Sequence, residues 1–242
     1  MDAMMFQVST LQALALGYTR AVVTVEELMK HGEYGLGTFE DVNGEMIAIG
    51  GKCYRAMEDG TVEETALDRG VPFAAVARLD GCREFEICGD YDMAGLKAEL
   101  NNRIEEEFGL NSMHIVQISG TFEKIYARSE APYRSHHVTL KDMLEKTQTS
   151  FEFSNMTGSL VGVYYPDYMD GINAAGWHLH FVNDERNKGG HVYEIQMKKG
   201  NVRLAKRSRI EIQLPKDPAF DTYALKSASK DEIKQVEQGQ KS

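Results

Sequence analysis

Apolar residues recur at three- and four-residue intervals through Met93, Leu96, Leu100, Ile104 and Phe108. On a helix that spacing lines up one apolar stripe, so the pattern predicts a helix over 93–108 with Asp92 as its cap. Glu105, Glu106 and Glu107 fall at its C-terminal end, where the helix dipole disfavours them, and read as a solvated face. Thr24 followed by Glu26 and Glu27 predicts a second, short helix over 24–31. A third short helix is predicted over 138–146. Most of the remaining chain alternates with the two-residue period of strands. Segments 46–49, 53–57 and 61–64 form a predicted meander, with turns at Gly50-Gly51 and Asp59-Gly60. Asn43-Gly44 predicts a tight hairpin turn, because both residues tolerate positive φ.

Further strands are predicted over 72–79, 84–88, 114–118, 151–153, 159–165, 176–183, 190–197 and 202–214. Lys199-Gly200-Asn201 reads as a turn between the last two, and His114 as a structural or surface histidine. Beyond Pro215 the chain is polar, with an amphipathic helix expected over 230–238. The expected fold class is therefore α+β (mixed α/β), with large mixed or antiparallel β-sheets and few helices. A composition shift near 132–149 divides an N-terminal mixed part, 1–131, from a mainly β part, 132–242. One continuous core fits the pattern equally well.

Composition narrows the function classes. The 242 residues are 42% hydrophobic and 26% charged, enough for a sizeable buried core. Twenty-seven basic against 37 acidic residues give a net charge of -10. That balance opposes nucleic-acid or anionic-membrane binding, which needs basic patches, but permits a small anion held by one arginine. Cys53, Cys82 and Cys88 are odd in number and form no CxxC pair, so a reducing compartment is expected. The first seventeen residues lack a basic leader and carry Asp2, and read as a cytoplasmic N-terminus. No apolar stretch reaches the length of a membrane span.

The chemistry concentrates in one segment. Three of the seven histidines, His178, His180 and His191, fall within fourteen residues. In a strand His178 and His180 share a face, with Trp177, Leu179 and Phe181 on the other. His191, after a polar stretch ending in Gly189-Gly190, can return as a third nitrogen. Three nitrogens with an open fourth position suit catalytic zinc, although Mn²⁺, Fe²⁺ and Co²⁺ accept the same donors. The bland alternative is a hairpin with surface histidines. Spacing does not single out Glu45 or Arg128, which read as a hairpin-end carboxylate and a solvated cation. The HxH pair followed by Glu185 also resembles a cupin, which would make the protein a metal-dependent oxygenase or isomerase with Glu185 on the metal. Against that, the glycine spacing after Glu185 is broken and His191 lacks the PxG approach. A non-catalytic, DNA-associated module is opposed by the charge.

Several segments extend the comparison along the chain. Tyr34-Gly35-Leu36-Gly37-Thr38-Phe39, Asn43-Gly44-Glu45-Met46-Ile47, Gly51-Lys52-Cys53-Tyr54-Arg55 and Val71-Pro72-Phe73-Ala74 resemble the N-terminal half of alpha-acetolactate decarboxylases. The strand from Gly158 to Tyr164, the stretch from Gly171 to His180, the Gly189-Gly190-His191 turn and the tail resemble the second half. Where that family often has Asp-Gly-Glu, this chain has Asn43-Gly44-Glu45. The resemblance implies zinc-dependent decarboxylation of (S)-2-acetolactate to (R)-acetoin and CO2, on the branch toward butane-2,3-diol. It implies His178, His180 and His191 as Zn²⁺ ligands, Glu45 and Arg128 beside them, and a tail glutamate reaching back. Glu237 best matches that last residue, with Glu232 a rival. A homodimer acting on free acetolactate is expected.

Overall fold

Two large stacked sheets, a short two-stranded sheet and flanking helices make up the described part of the chain, residues 3–135 and 137–225 of the computed structural model. In chain order the first strands are β1 (Met4–Val8), β2 (Val23–Thr24), β3 (Tyr34–Thr38), β4 (Glu45–Ile49), β5 (Lys52–Ala56), β6 (Val62–Glu64) and β7 (Gly70–Val71). There follow β8 (Phe73–Ala77), β9 (Arg83–Tyr91), β10 (Met113–Glu130), β11 (Gln148–Tyr165), β12 (Gly176–Asn183), β13 (Gly189–Arg207) and β14 (Arg209–Gln213). The helices are α1 (Leu11–Ala15), α2 (Val25–Met29), α3 (Met93–Glu107) and α4 (Leu140–Thr147).

One sheet has the order β14-β1-β8-β3-β4-β5-β6, antiparallel except where β1 meets β14. The other has the order β10-β11-β12-β13-β9, and β10 also pairs with β13. Strands β10 to β13 thereby close on themselves. The expected α+β class with large mixed and antiparallel sheets is what the chain forms. Its strands do not follow a division at residue 131: β10 pairs with β11 and β13, and β14 joins β1.

Period-two alternation builds the layers. Inward residues of the first sheet, among them Met5, Leu36, Ala75 and Ala77, pack on Ile115, Val163 and Tyr165 of the second. Ile47, Ile49 and Ala56 likewise meet Val161 and Val182. Outward residues Phe6, Val8, Met46 and Val76 lie under α2 through Val25 and Leu28. The stripe Met93, Leu96, Leu100 and Ile104 covers the outer face of the second sheet, over Phe122, Ile125, Leu179 and Phe181. Helices α1 and α4 meet at one end, where Leu14 and Leu140 share a cluster with Val42 and Phe73.

The helix signals act as the residues require. Thr24 and Glu27 form a reciprocal capping box on α2, and the Asp92 carboxylate accepts from Gly95 N at 2.7 Å. Glu105, Glu106 and Glu107 are exposed. Two expected turns differ. Asn43 has φ -92°, and positive φ falls instead on Asp41, Val42 and Gly44. Lys199-Gly200-Asn201 runs straight through β13, because Gly200 faces Gly120 across β10, where a Cβ on Gly120 would stand 2.4 Å from the Lys199 carbonyl. Those glycines permit close strand approach rather than a turn. The predicted strands 114–118, 151–153 and 190–197 are parts of the much longer β10, β11 and β13. Segment 4–15, read only as a terminus, supplies β1 in the middle of a sheet and α1 beside the cleft. The expected helix over 230–238 lies outside the described residues.

His114 is fully buried, against the rings of Phe108 and Tyr164. Burial pushes its pKa down to about 4, helped by the nearby charges of Lys206 and Arg207. Its neutral form is the folded form. Stability is therefore complete above the ordinary histidine value of 6.5 and falls as pH drops toward 4, where the unfolded chain takes up a proton that the folded one excludes. We expect acid titration of thermal stability to reveal a loss of up to roughly 3 kcal/mol across that window. His114→Phe should flatten the loss, and an unchanged acid limb would remove His114 as its source.

Candidate metal centre

Strand β12 carries the HxH pair with the expected facing. Trp177, Leu179 and Phe181 enter the core beneath α3, and His178 and His180 face the first sheet. Residue His191 is paired on both edges of β13, with His180 across β12 and with Arg128 across β10. Gly189 and Gly190 allow this approach: a Cβ on Gly189 would lie 2.4 Å from the Phe181 carbonyl.

Bulges decide which way Arg128 and His191 point. Even-numbered Val116, Ile118 and Phe122 of β10 face α3, yet beyond them odd-numbered Ile125 and Ala127 do so. Register shifts after Phe122, with Lys124 next in the ladder, insert Glu123 as an extra residue and reverse the facing. On β13, Ile195 and Met197 face α3, but after a shift that leaves out Tyr193 so does Val192. Arg128 and His191 are thereby turned toward the face that holds His178 and His180.

Three nitrogens converge. His178 Nε2 lies 3.0 Å from both His180 Nε2 and His191 Nδ1. Nitrogens at about 2.0–2.1 Å from one tetrahedral zinc stand about 3.3 Å apart, so the observed spacing needs only a few tenths of adjustment. This trio is the one group of metal-ligating side chains found among the described residues. All three are buried. Burial pushes the His178 pKa down to about 3 and holds His180 well below the usual range, which keeps both rings neutral and able to donate lone pairs. His180 Nδ1 donates to the Met46 carbonyl at 2.8 Å, fixing the tautomer that presents Nε2. Neutral imidazoles, a closed second contact and an adjacent carboxylate fit a divalent cation.

That carboxylate is Glu45, the first residue of β4. It shares the inward face of Ile47, and its oxygens lie 3.4 Å from His180 Nε2 and 3.7 Å from His191 Nδ1. Arg128 Nη2 lies 3.4 Å from His191 Nε2. Both residues, with His178 and His191, line a cleft enclosing about 420 Å³, solvent at the mouth included. Sequence spacing had missed the supports of this arrangement. The Ser129 hydroxyl donates to the Ala56 carbonyl at 2.8 Å and accepts from Glu45 N at 3.3 Å, tying β4 to β10. Thr38, Glu130 and Gln148 also line the cleft, and Leu14, Val42, Phe73, Leu140 and Leu144 supply its apolar part. No local pattern marks them, because α1, β3, β8, β10, α4 and β11 all contribute.

Along residues 5–227 the chain matches the family model for alpha-acetolactate decarboxylase. The chain belongs to the alpha-acetolactate decarboxylase family. It is 33% identical to the alpha-acetolactate decarboxylase of Methanosarcina mazei, over 96% of this chain and 80% of that one. Identity to the Lactococcus lactis protein of that name is 32%, over 87% of each. The crystal structure of alpha-acetolactate decarboxylase from Bacillus subtilis strain 168 superposes with a TM-score of 0.91 at 28% identity, covering 97% of this chain and 99% of that one. Family membership agrees with the resemblance drawn from the motifs. The cupin alternative fails on its own residue: Glu185 is exposed and accepts from Asn183 Nδ2 at 2.7 Å, away from the histidines. Glu237 and its rival Glu232 lie outside the described residues, and also beyond the family match.

We expect purified protein to bind one divalent transition-metal ion per chain, measured by elemental analysis and metal titration. His178→Ala should weaken binding at least about a hundredfold. Full affinity in that variant would take His178 out of the ligand set.

Proposed function

We propose that the protein decarboxylates (S)-2-acetolactate to (R)-acetoin and CO2 in acetoin formation, with Zn²⁺ on His178, His180 and His191. The observation that carries this reading is the convergence of those three neutral imidazoles beside Glu45 and Arg128, in a member of this family. The reaction breaks the bond from the carbinol carbon to the carboxylate. Its electron pair moves toward the neighbouring ketone, and a proton must reach the carbon that CO2 leaves. When bound, a Lewis-acidic zinc ion stabilises the negative charge that develops on oxygen.

The chain's own groups perform the rest. Arg128, 7% exposed, offers paired donors to the departing carboxylate and orients it. Glu45, within 3.4 Å of the ligand set, is placed to hold and deliver a proton at the same end of the cleft. Glu237 is the second carboxylic acid of the proposal, sharing proton transfer with Glu45. Leu14, Phe73 and Leu140 limit water around the reacting carbons.

The protein acts as a cytoplasmic homodimer in this reading, with no nucleic-acid partner. The reading is supported by three free cysteines and the net charge of -10, and light scattering tests the dimer. Among the described residues no helix is long and apolar enough to cross a membrane.

Acetoin and CO2 release from acetolactate by metal-loaded protein is the direct test, and metal-loaded protein without that activity would overturn the assignment. Glu45→Gln should keep its metal and lose at least about a hundredfold in kcat, as expected for a general acid or base. Wild-type kinetics in that variant would exclude Glu45 from proton transfer. Arg128→Lys keeps the charge but loses the planar fork, and we expect KM for acetolactate to rise about tenfold or more.

A further inference from the structure

Glu45 is held by its backbone as well as by its place beside the histidines. The Gly50-Gly51 loop, with φ 61° and 80°, closes a two-residue hairpin on Ile49 and Lys52. Hydrogen-bonded rungs then alternate along β4 and β5 and fall at 49/52, 47/54 and 45/56. Glu45 N and the Ala56 carbonyl are therefore the facing pair of the last such rung. The Ser129 hydroxyl touches both, donating to the carbonyl at 2.8 Å and accepting from the amide at 3.3 Å. Ser129 is fully buried and belongs to β10, in the other sheet. Thr38 Oγ1 donates to the Gly44 carbonyl at 2.9 Å, but that hold lies within the first sheet. A single hydrogen bond thus leads from the Glu45 amide to Ser129, the residue covalently next to Arg128.

This link bears on chirality. Loss of CO2 leaves the carbinol carbon planar, and the face that the proton reaches decides the hand of the acetoin formed. With Arg128 holding the departing carboxylate and Glu45 supplying the proton, that face depends on where the two side chains stand relative to each other. Such transfers tolerate little displacement, a misplacement of about 1 Å costing up to about a hundredfold in rate. We infer that Ser129 is a positioning residue for proton delivery, its hydroxyl fixing Glu45 against Arg128 so that one face of the carbon is protonated. This rests on the decarboxylase reading above, with Glu45 as the proton donor. The His180 contact with the Met46 carbonyl holds β4 separately, so metal binding does not require the Ser129 hydroxyl.

The test gives (S)-2-acetolactate to metal-loaded protein and reads kcat, KM, metal content and the ratio of (R)- to (S)-acetoin at early times, corrected for the enzyme-free reaction. Ser129→Ala should keep its metal and a KM within about threefold, lose about tenfold in kcat, and lower the R-to-S ratio by about tenfold. Ser129→Thr, which keeps a hydroxyl, should hold that ratio within about twofold. Ser129→Cys, near in size but a weak hydrogen-bonding group, should shift the ratio in the same direction as alanine, and it replaces Ser129→Ala should that variant not fold. The ratio discriminates, because a loss of folded protein lowers the rate and leaves the hand of the product unchanged. Wild-type protein that makes no acetoin would overturn the decarboxylase reading and this inference together. An active wild type whose ratio is unmoved in Ser129→Ala and Ser129→Cys overturns this inference alone, whatever happens to kcat. A ratio shifted as far by Ser129→Thr as by Ser129→Ala would place the effect in packing and refute the role of the hydroxyl.

Discussion

His191 is hydrogen-bonded into two ladders at once, opposite His180 on one edge of β13 and opposite Arg128 on the other. That double pairing closes β10 to β13 upon themselves and places the histidines and the guanidinium on neighbouring rungs. Distances among the functional groups are thus set by backbone spacing, which is stiff, rather than by long side chains, which are not. A one-residue slip of β12 would turn His178 and His180 into the core under α3 and bring Trp177, Leu179 and Phe181 into the cleft. Packing beneath α3 and convergence of the histidines therefore demand the same register. Neither could change without breaking the other.

Electrostatics follow from this enclosure. A charged imidazole is expensive in a dry interior, so burial selects the neutral rings that a metal requires. The Met46 carbonyl reinforces the choice by taking the one proton that His180 retains. Met46 belongs to the strand that begins with Glu45, so a single strand of the first sheet both orients the His180 ring and delivers a carboxylate. Ser129 locks that strand to β10 beside Arg128. The site lies where the sheets meet, and each contributes groups that would be unpaired charges or idle donors without the other.

Much of this was legible in local patterns. The stripe of α3, the caps of α2 and α3, and the facing of His178 and His180 depend on periods of 3.6 and 2 that a sequence displays directly. Other features were opaque for definite reasons. Strands β10 and β13 looked like shorter strands because glycines that serve close interstrand approach resemble glycines that make turns. The hairpin before Glu45 has its positive φ on Asp41 and Val42 as well as Gly44, since contacts from Thr19, Tyr133 and Arg134 override local preference.

Sequence by itself determined helices α2, α3 and α4, the alternation of most strands, the histidine trio and, through motifs spread over the chain, the family. Tertiary structure decided how these become a site. Arg128 carries no local mark, and an uninterrupted two-residue period would have turned it toward α3. An extra residue at Glu123 reverses the facing of β10 ahead of Arg128, and one at Tyr193 keeps His191 off the face that Ile195 and Met197 share. A bulge is a mismatch between two paired strands, a property that neither strand's sequence contains alone.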